Sequence, residues 1–105
     1  MKAALIRPLL VGLALVLAAG PAPAATIEVM IDKLVFSPAT IDARVGDTIE
    51  WVNKDGFAHT ATVKGGWEVM IPPKAKGKLT LKTAGTVDYF CRFHPNMKGR
   101  LIVAP

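Results

Sequence analysis

Thr86-Val87-Asp88-Tyr89-Phe90-Cys91-Arg92-Phe93-His94-Pro95-Asn96-Met97-Lys98-Gly99-Arg100-Leu101-Ile102-Val103 reads as two extended segments joined by a short loop. The first segment delivers Cys91 at a strand end, and Arg100 to Val103 reads as a closing strand. Pro95 lacks an N–H and restrains the backbone after His94, and Gly99 is expected to relieve the bend into the last strand. The loop holds the only cysteine and one of the two histidines in the chain, spaced C-x-x-H-x-x-M. A loop joining neighbouring strands brings these donors to one end of a sheet.

The rest of the chain supplies more strands. Ile27, Val29 and Ile31 alternate with Glu28, Met30 and Asp32, the period-two pattern of a strand with one buried face. Leu34-Val35-Phe36 runs into Ser37-Pro38, where proline ends regular pairing. Ile41 and Val45 flank another extended stretch, closed by Gly46-Asp47. Ile49, Trp51 and Asn53 share a face of Thr48 to Asn53. Lys54-Asp55-Gly56 is a loop signal, after which Ala58 to Val63 returns as a strand carrying His59. Gly65-Gly66 turns the chain into Trp67 to Ile71, and Pro72-Pro73 breaks it. Lys78 to Lys82 alternates again, and Thr83-Ala84-Gly85 turns the chain into Thr86 to Cys91. No stretch after the leader keeps a helical period, so about seven or eight short strands point to an all-β sandwich.

At 105 residues there is room for one domain behind a leader. Lys2 and Arg7 precede the apolar run Leu9 to Ala19, followed by Gly20-Pro21 and the small residues Ala22-Pro23-Ala24-Ala25. This is the layout of a secretory signal peptide with an A-x-A site, cleaved near Ala24 or Ala25. The run falls short of the about 20 apolar residues of a membrane span. Residues 1–25 are therefore the expected signal peptide and 26–105 the mature domain, exported to the periplasm and not inserted in the membrane after cleavage. A domain of about 80 residues is near the lower limit for a single apolar core, and one cysteine makes no internal disulfide. A metal is the alternative staple. Removing Lys2 and Arg7 lowers the formal charge from +5 to +3. Mild basicity fits solvated strand faces or steering toward an acidic partner. No basic-aromatic interleaving suggests nucleic acid.

One cysteine, two histidines and a weak methionine are the ligands of a blue-copper electron-transfer centre, which makes His59, Cys91, His94 and Met97 the candidate metal ligands. Thiolate stabilises copper in both oxidation states, two imidazoles complete a plane that both states tolerate, and a long thioether tunes the potential. Each residue alone has a plainer reading: a lone strand cysteine or methionine is usually core, and a histidine among apolar neighbours is usually hydrogen-bonded. Their conjunction is what carries the copper reading. Met70 is a further thioether, for which core packing is the preferred expectation.

On these motifs the chain resembles the cupredoxin family, and within it the amicyanin branch. The C-x-x-H-x-x-M spacing is that branch's; plastocyanin and pseudoazurin have longer His-to-Met gaps. Val45 to Asn53, Asp55 to Thr60 and Gly85 to Cys91 extend the resemblance. It implies a Greek-key β-sandwich holding one mononuclear type 1 copper, with His59, Cys91 and His94 equatorial and Met97 axial. It also implies an electron port at the His94 ring within an apolar patch that includes Phe57, Phe93 and Pro95. The implied partners are an amine-oxidising dehydrogenase and a cytochrome c as donor and acceptor, with a monomer as the default. Thr60 stands where amicyanins have Asn, which bears on how the two ligand loops are held together.

Two other functions use the same residues. A periplasmic copper-delivery or resistance protein would hold the metal in a Met/His-rich exposed site, but only Met30, Met70 and Met97 follow the leader. An enzyme would need a free base, and both histidines are assigned; a Cys91–His94 nucleophile pair gives Met97 no role. The sequence thus reads as an electron carrier, not an enzyme.

Overall fold

The computed structural model describes residues 23–105, so the expected signal peptide lies almost wholly outside the described residues. Nine strands are present among those residues: β1 (Thr26–Asp32), β2 (Val35–Ser37), β3 (Thr40–Arg44), β4 (Thr48–Asn53), β5 (His59–Thr62), β6 (Glu68–Ile71), β7 (Lys76–Thr80), β8 (Gly85–Cys91) and β9 (His94–Ala104). They form two sheets, ordered β2-β1-β4-β7 and β3-β9-β8-β5-β6. The chain passes repeatedly from one sheet to the other, and β1 pairs β4, and β3 pairs β9, in parallel. This is the Greek-key sandwich expected. The strand count exceeds the expected seven or eight, and all four sheet edges are short strands, β2, β7, β3 and β6.

The alternation seen in the sequence sets what faces inward. Val29, Ile31, Ile49 and Trp51 from one sheet meet Ile41, Ala61, Ile71, Leu101 and Val103 from the other in one buried cluster. Fully burying a side chain of this kind contributes about 1.5–3 kcal/mol before entropy is counted, so the cluster is the main source of stability. An aromatic knot ties the layers: Tyr89 lies edge-on to Phe36 and Trp51, with ring centroids 4.8 and 5.6 Å away. Trp51 Nε1 donates to the Tyr89 hydroxyl at 3.3 Å, and burial pushes the Tyr89 phenol up to about 12.

Three expectations are corrected. The last strand begins at His94, not Arg100, so His94 and Met97 lie on β9 itself. Cys91 pairs with His94 across Arg92-Phe93, and the hairpin closes earlier than the proline and glycine suggested. Gly99 does not relieve a bend. It pairs with Tyr89 in the ladder, and an added Cβ would lie 2.3 Å from the Tyr89 ring. A glycine in a strand marks such close approach. Met70 is not core: it points outward from β6 and is 48% exposed, whereas its neighbour Ile71 is fully buried. Trp67, at the start of the same segment, packs against Trp51 and Tyr89.

Candidate metal centre

The ends of β4, β5, β8 and β9 meet at one pole of the sandwich. His59 opens β5 and Cys91 closes β8; both are fully buried. His94 opens β9 and is partly exposed. Their ligand atoms all lie within 4.8 Å of one another. Cys91 Sγ is 3.6 Å from His59 Nδ1 and 3.8 Å from His94 Nδ1. A metal bonded at about 2.3 Å to sulfur and about 2.0 Å to nitrogen, at trigonal angles, would separate S and N by about 3.7 Å. The donor set therefore fits a trigonal ion, in type and in spacing. Met97, the fourth candidate, is buried on β9 three residues beyond His94.

His59 is fixed through its other ring nitrogen. Nε2 lies 2.8 Å from Asp55 Oδ2, which leaves Nδ1 to face the sulfur. A carboxylate behind a ligating histidine sets its tautomer and its orientation. Asp55 is itself braced, accepting the N–H of Lys33 at 2.8 Å and of Leu34 at 3.1 Å. Those two residues form the β1–β2 turn at φ 54° and 64°. Positive φ at both positions is the turn type that usually calls for Asn-Gly, and here a carboxylate holds Lys-Leu in that shape. Burial would raise the Asp55 carboxyl, but the bonds from His59, Lys33 and Leu34 outweigh it and hold it below its ordinary value. Behind this loop Asn53, also buried, donates to the carbonyls of Phe57, Ile71 and Pro72 and accepts from Asp55 N–H.

The cysteine side is tied by Thr60. Its N–H donates to Cys91 Sγ at 3.4 Å, and its hydroxyl accepts the Arg92 N–H at 2.7 Å. Threonine thus reaches across the two ligand loops in spite of its short side chain. The hydroxyl of Thr60 also lies 2.8 Å from that of Thr62, which donates to Glu68 Oε1 at 2.8 Å. Glu68 takes the Arg92 guanidinium on both oxygens, at 2.8 and 3.1 Å. Those bonds, the Arg92 one foremost and then that from Thr62, hold the Glu68 carboxyl below its usual range. Both side chains are substantially exposed, so solvent screens this ion pair and by itself it adds little stability.

Around His94 the surface is apolar. Phe57 and Phe93 are 49% and 45% exposed, and the Phe57 ring lies 5.6 Å from that of His94 and 5.3 Å from that of His59. His59, Cys91 and His94 are thus brought together at one pole with Phe57 beside them. Asp55 and Glu68 were missed as site residues. Asp55, four residues before His59 in a loop, carried a faint signal; Glu68 carried none, because only the β5–β6 pairing brings it to Arg92.

A two-sheet sandwich with a buried Cys and two His at one pole defines a class. The family model of the cupredoxin-like domain matches residues 5–103, and the chain belongs to that family. It is similar to the amicyanin of Paracoccus versutus, 33% identical over 94 residues that cover 82% of this chain and 70% of that protein. The methylamine utilization protein MauL of Methylorubrum extorquens is 32% identical over 107 residues, covering 95% of this chain and 94% of that one. A solved structure of the Cu(I) form of an amicyanin variant superposes with a TM-score of 0.68 at 32% identity, covering 82% of this chain and 88% of that one. Like the amicyanins and plastocyanins it resembles, this chain is a copper-dependent electron carrier and not an enzyme.

Proposed function

We propose that His59, Cys91 and His94 would hold a single copper and that Met97 would supply a weak fourth, thioether ligand. The observation that carries this is the near-equal spacing of Cys91 Sγ from the two Nδ1 atoms, in a buried pocket with no acidic ligand among the three. When bound, copper supplies a one-electron couple. The chain's residues do the rest. Asp55 and the Thr60 N–H hold His59 and Cys91 in place, so little need move when charge changes. Burial keeps water from the sulfur, and His94, exposed at its rim and flanked by Phe57 and Phe93, offers the shortest path out for the electron.

The test is the absorption spectrum of the protein after Cu(II) is added. An intense blue band, bleached by ascorbate and restored by oxidant, is expected. Tight binding of Cu(I) with no colour from Cu(II) would replace the carrier reading with copper delivery.

The domain is proposed to work in the periplasm after removal of residues 1–25 or 1–24, as a monomer between a donor and an acceptor. The likeness to amicyanin and MauL favours redox partners of amine oxidation, a dehydrogenase on one side and a cytochrome c on the other. Ala25 N–H donates to Asp47 Oδ1 at 2.8 Å. Cleavage after Ala24 would place the new α-ammonium on that carboxylate, which favours this bond over the next. Mass spectrometry of the exported protein decides it: a chain starting at Thr26 would rule this out.

A further inference from the structure

The hydroxyls of Thr60 and Thr62 stand in line between the Arg92 amide and the Glu68 carboxylate, and the protons along this line have only one consistent arrangement. An ionised carboxylate accepts and does not donate. Thr62 must therefore give its hydroxyl proton to Glu68 Oε1, 2.8 Å away. Its oxygen is then left to accept from Thr60, also at 2.8 Å. Thr60 Oγ1, with its own proton spent, accepts from the Arg92 N–H at 2.7 Å. The Arg92 guanidinium returns to Glu68 and closes the ring. The three bonds from the Arg92 amide through Thr60 and Thr62 to Glu68 run in one direction and polarise one another, while the guanidinium holds Glu68 from its other side.

We propose that Glu68 and Thr62 are positioning residues for Cys91. Neither bonds a candidate ligand directly; they act through Thr60. By polarising its hydroxyl they pin the Cys91–Arg92 peptide to β5, which keeps Cys91 Sγ on the Thr60 N–H at 3.4 Å. A hydrogen bond to a metal-bound thiolate withdraws charge from sulfur and favours the reduced metal, so the relay holds the reduction potential up. Glu68, on an edge strand, thus reaches the centre through two hydroxyls.

This rests on the copper-ligand reading above, and the test separates the two. Thr62→Val removes the middle of the relay, keeps the shape of the side chain and leaves the Arg92–Glu68 pair intact. Hydrogen exchange of the Arg92 amide, followed in the metal-free protein, is expected to become roughly tenfold faster, the weight of one ordinary hydrogen bond. Exchange in β1 and β4 should stay as it was. In the copper-loaded protein the potential should move down, and Thr62→Ser, which keeps the hydroxyl, should restore both values. Glu68→Ala should repeat the exchange effect, and it serves if Thr62→Val does not fold. Unchanged Arg92 exchange would overturn the relay; faster exchange with an unmoved potential would overturn its positioning role. A protein that never turns blue would sink the ligand assignment and leave the metal-free exchange result standing.

Discussion

The two halves of the metal centre are built differently. On the His59 side the ligand itself is enclosed: the ring is fully buried, Asp55 holds its far nitrogen, and Asp55 is fastened in turn to the exposed β1–β2 turn. Asn53 anchors the same loop with its whole amide. On the Cys91–His94 side the sulfur is buried, but Arg92 and Phe93 are exposed and His94 is only half covered. Its ties run over the outer face of the sheet through hydroxyls and a solvated ion pair. The difference suits an electron carrier. One half fixes donor geometry for both oxidation states, and the other brings one ligand ring to the surface, where a partner can reach it.

The sharpest way to break the comparison is to remove the atom the halves share. Cys91→Ser should abolish the blue band and the reversible couple completely, with both histidines still in place; an absorption spectrum checks it. A retained intense band would show that the sulfur is not a ligand. Next in size is Asp55→Ala, which strikes the enclosed half alone. It frees the His59 ring and the Lys33-Leu34 turn together, and removing such a partner typically costs 10–100-fold in metal affinity. Competitive chelator titration should show a drop of that order. Affinity within twofold of the parent would mean that packing alone orients His59.

This asymmetry was only half legible in the sequence. Period-two alternation in Ile27 to Ile31 and in Ile49 to Asn53 gave the buried faces, because burial on one side of a strand writes itself at every second position. Cys91, His94 and Met97 could be read because ligands on one hairpin are close in sequence. His59 could be read because it is the other histidine. The supports were hidden for the opposite reason. Glu68 meets Arg92 at a separation of 24 residues, through strand pairing that no local pattern states. The start of β9 was misplaced because Pro95 and Gly99 look like loop residues. Pro95 sits one residue inside the strand's start, and Gly99 serves the Tyr89 ring.

A smaller effect should come from the hairpin that carries the exposed half. Gly99→Ala places a methyl group 2.3 Å from Cζ of Tyr89, a ring already held by Phe36 and Trp51. The ring cannot swing away without breaking the Trp51–Tyr89 bond. Overpacking of this kind costs about 1–3 kcal/mol. At about 4–8 °C per kcal/mol for a domain of this size, melting of the metal-free protein should fall by roughly 4–24 °C. An unchanged melting point would mean that Tyr89 has room the ladder does not show.

The smallest expected effect lies at the opposite pole and tests whether acid sensitivity belongs to the metal centre at all. Asp47, buried in the turn before β4, accepts the N–H of Ala25 at 2.8 Å and of Arg44 at 3.0 Å. Those two bonds, the Ala25 one first, hold its carboxyl below the ordinary value. A carboxyl with a depressed folded-state value contributes stability that is complete above the ordinary range near pH 4 and is lost as pH falls through the lower, folded value. Metal-free protein starting at Ala25 should therefore be the more stable form at pH 6 and lose more stability as pH falls below about 4 than protein starting at Thr26, which has no Ala25 N–H to offer. Denaturant midpoints at pH 3 and pH 6 would measure it, with Asp47→Asn flattening the difference. If the two forms lost stability equally, the acid limb would belong to the other depressed carboxyls, Asp55 and Glu68 at the metal centre and Asp88 on β8.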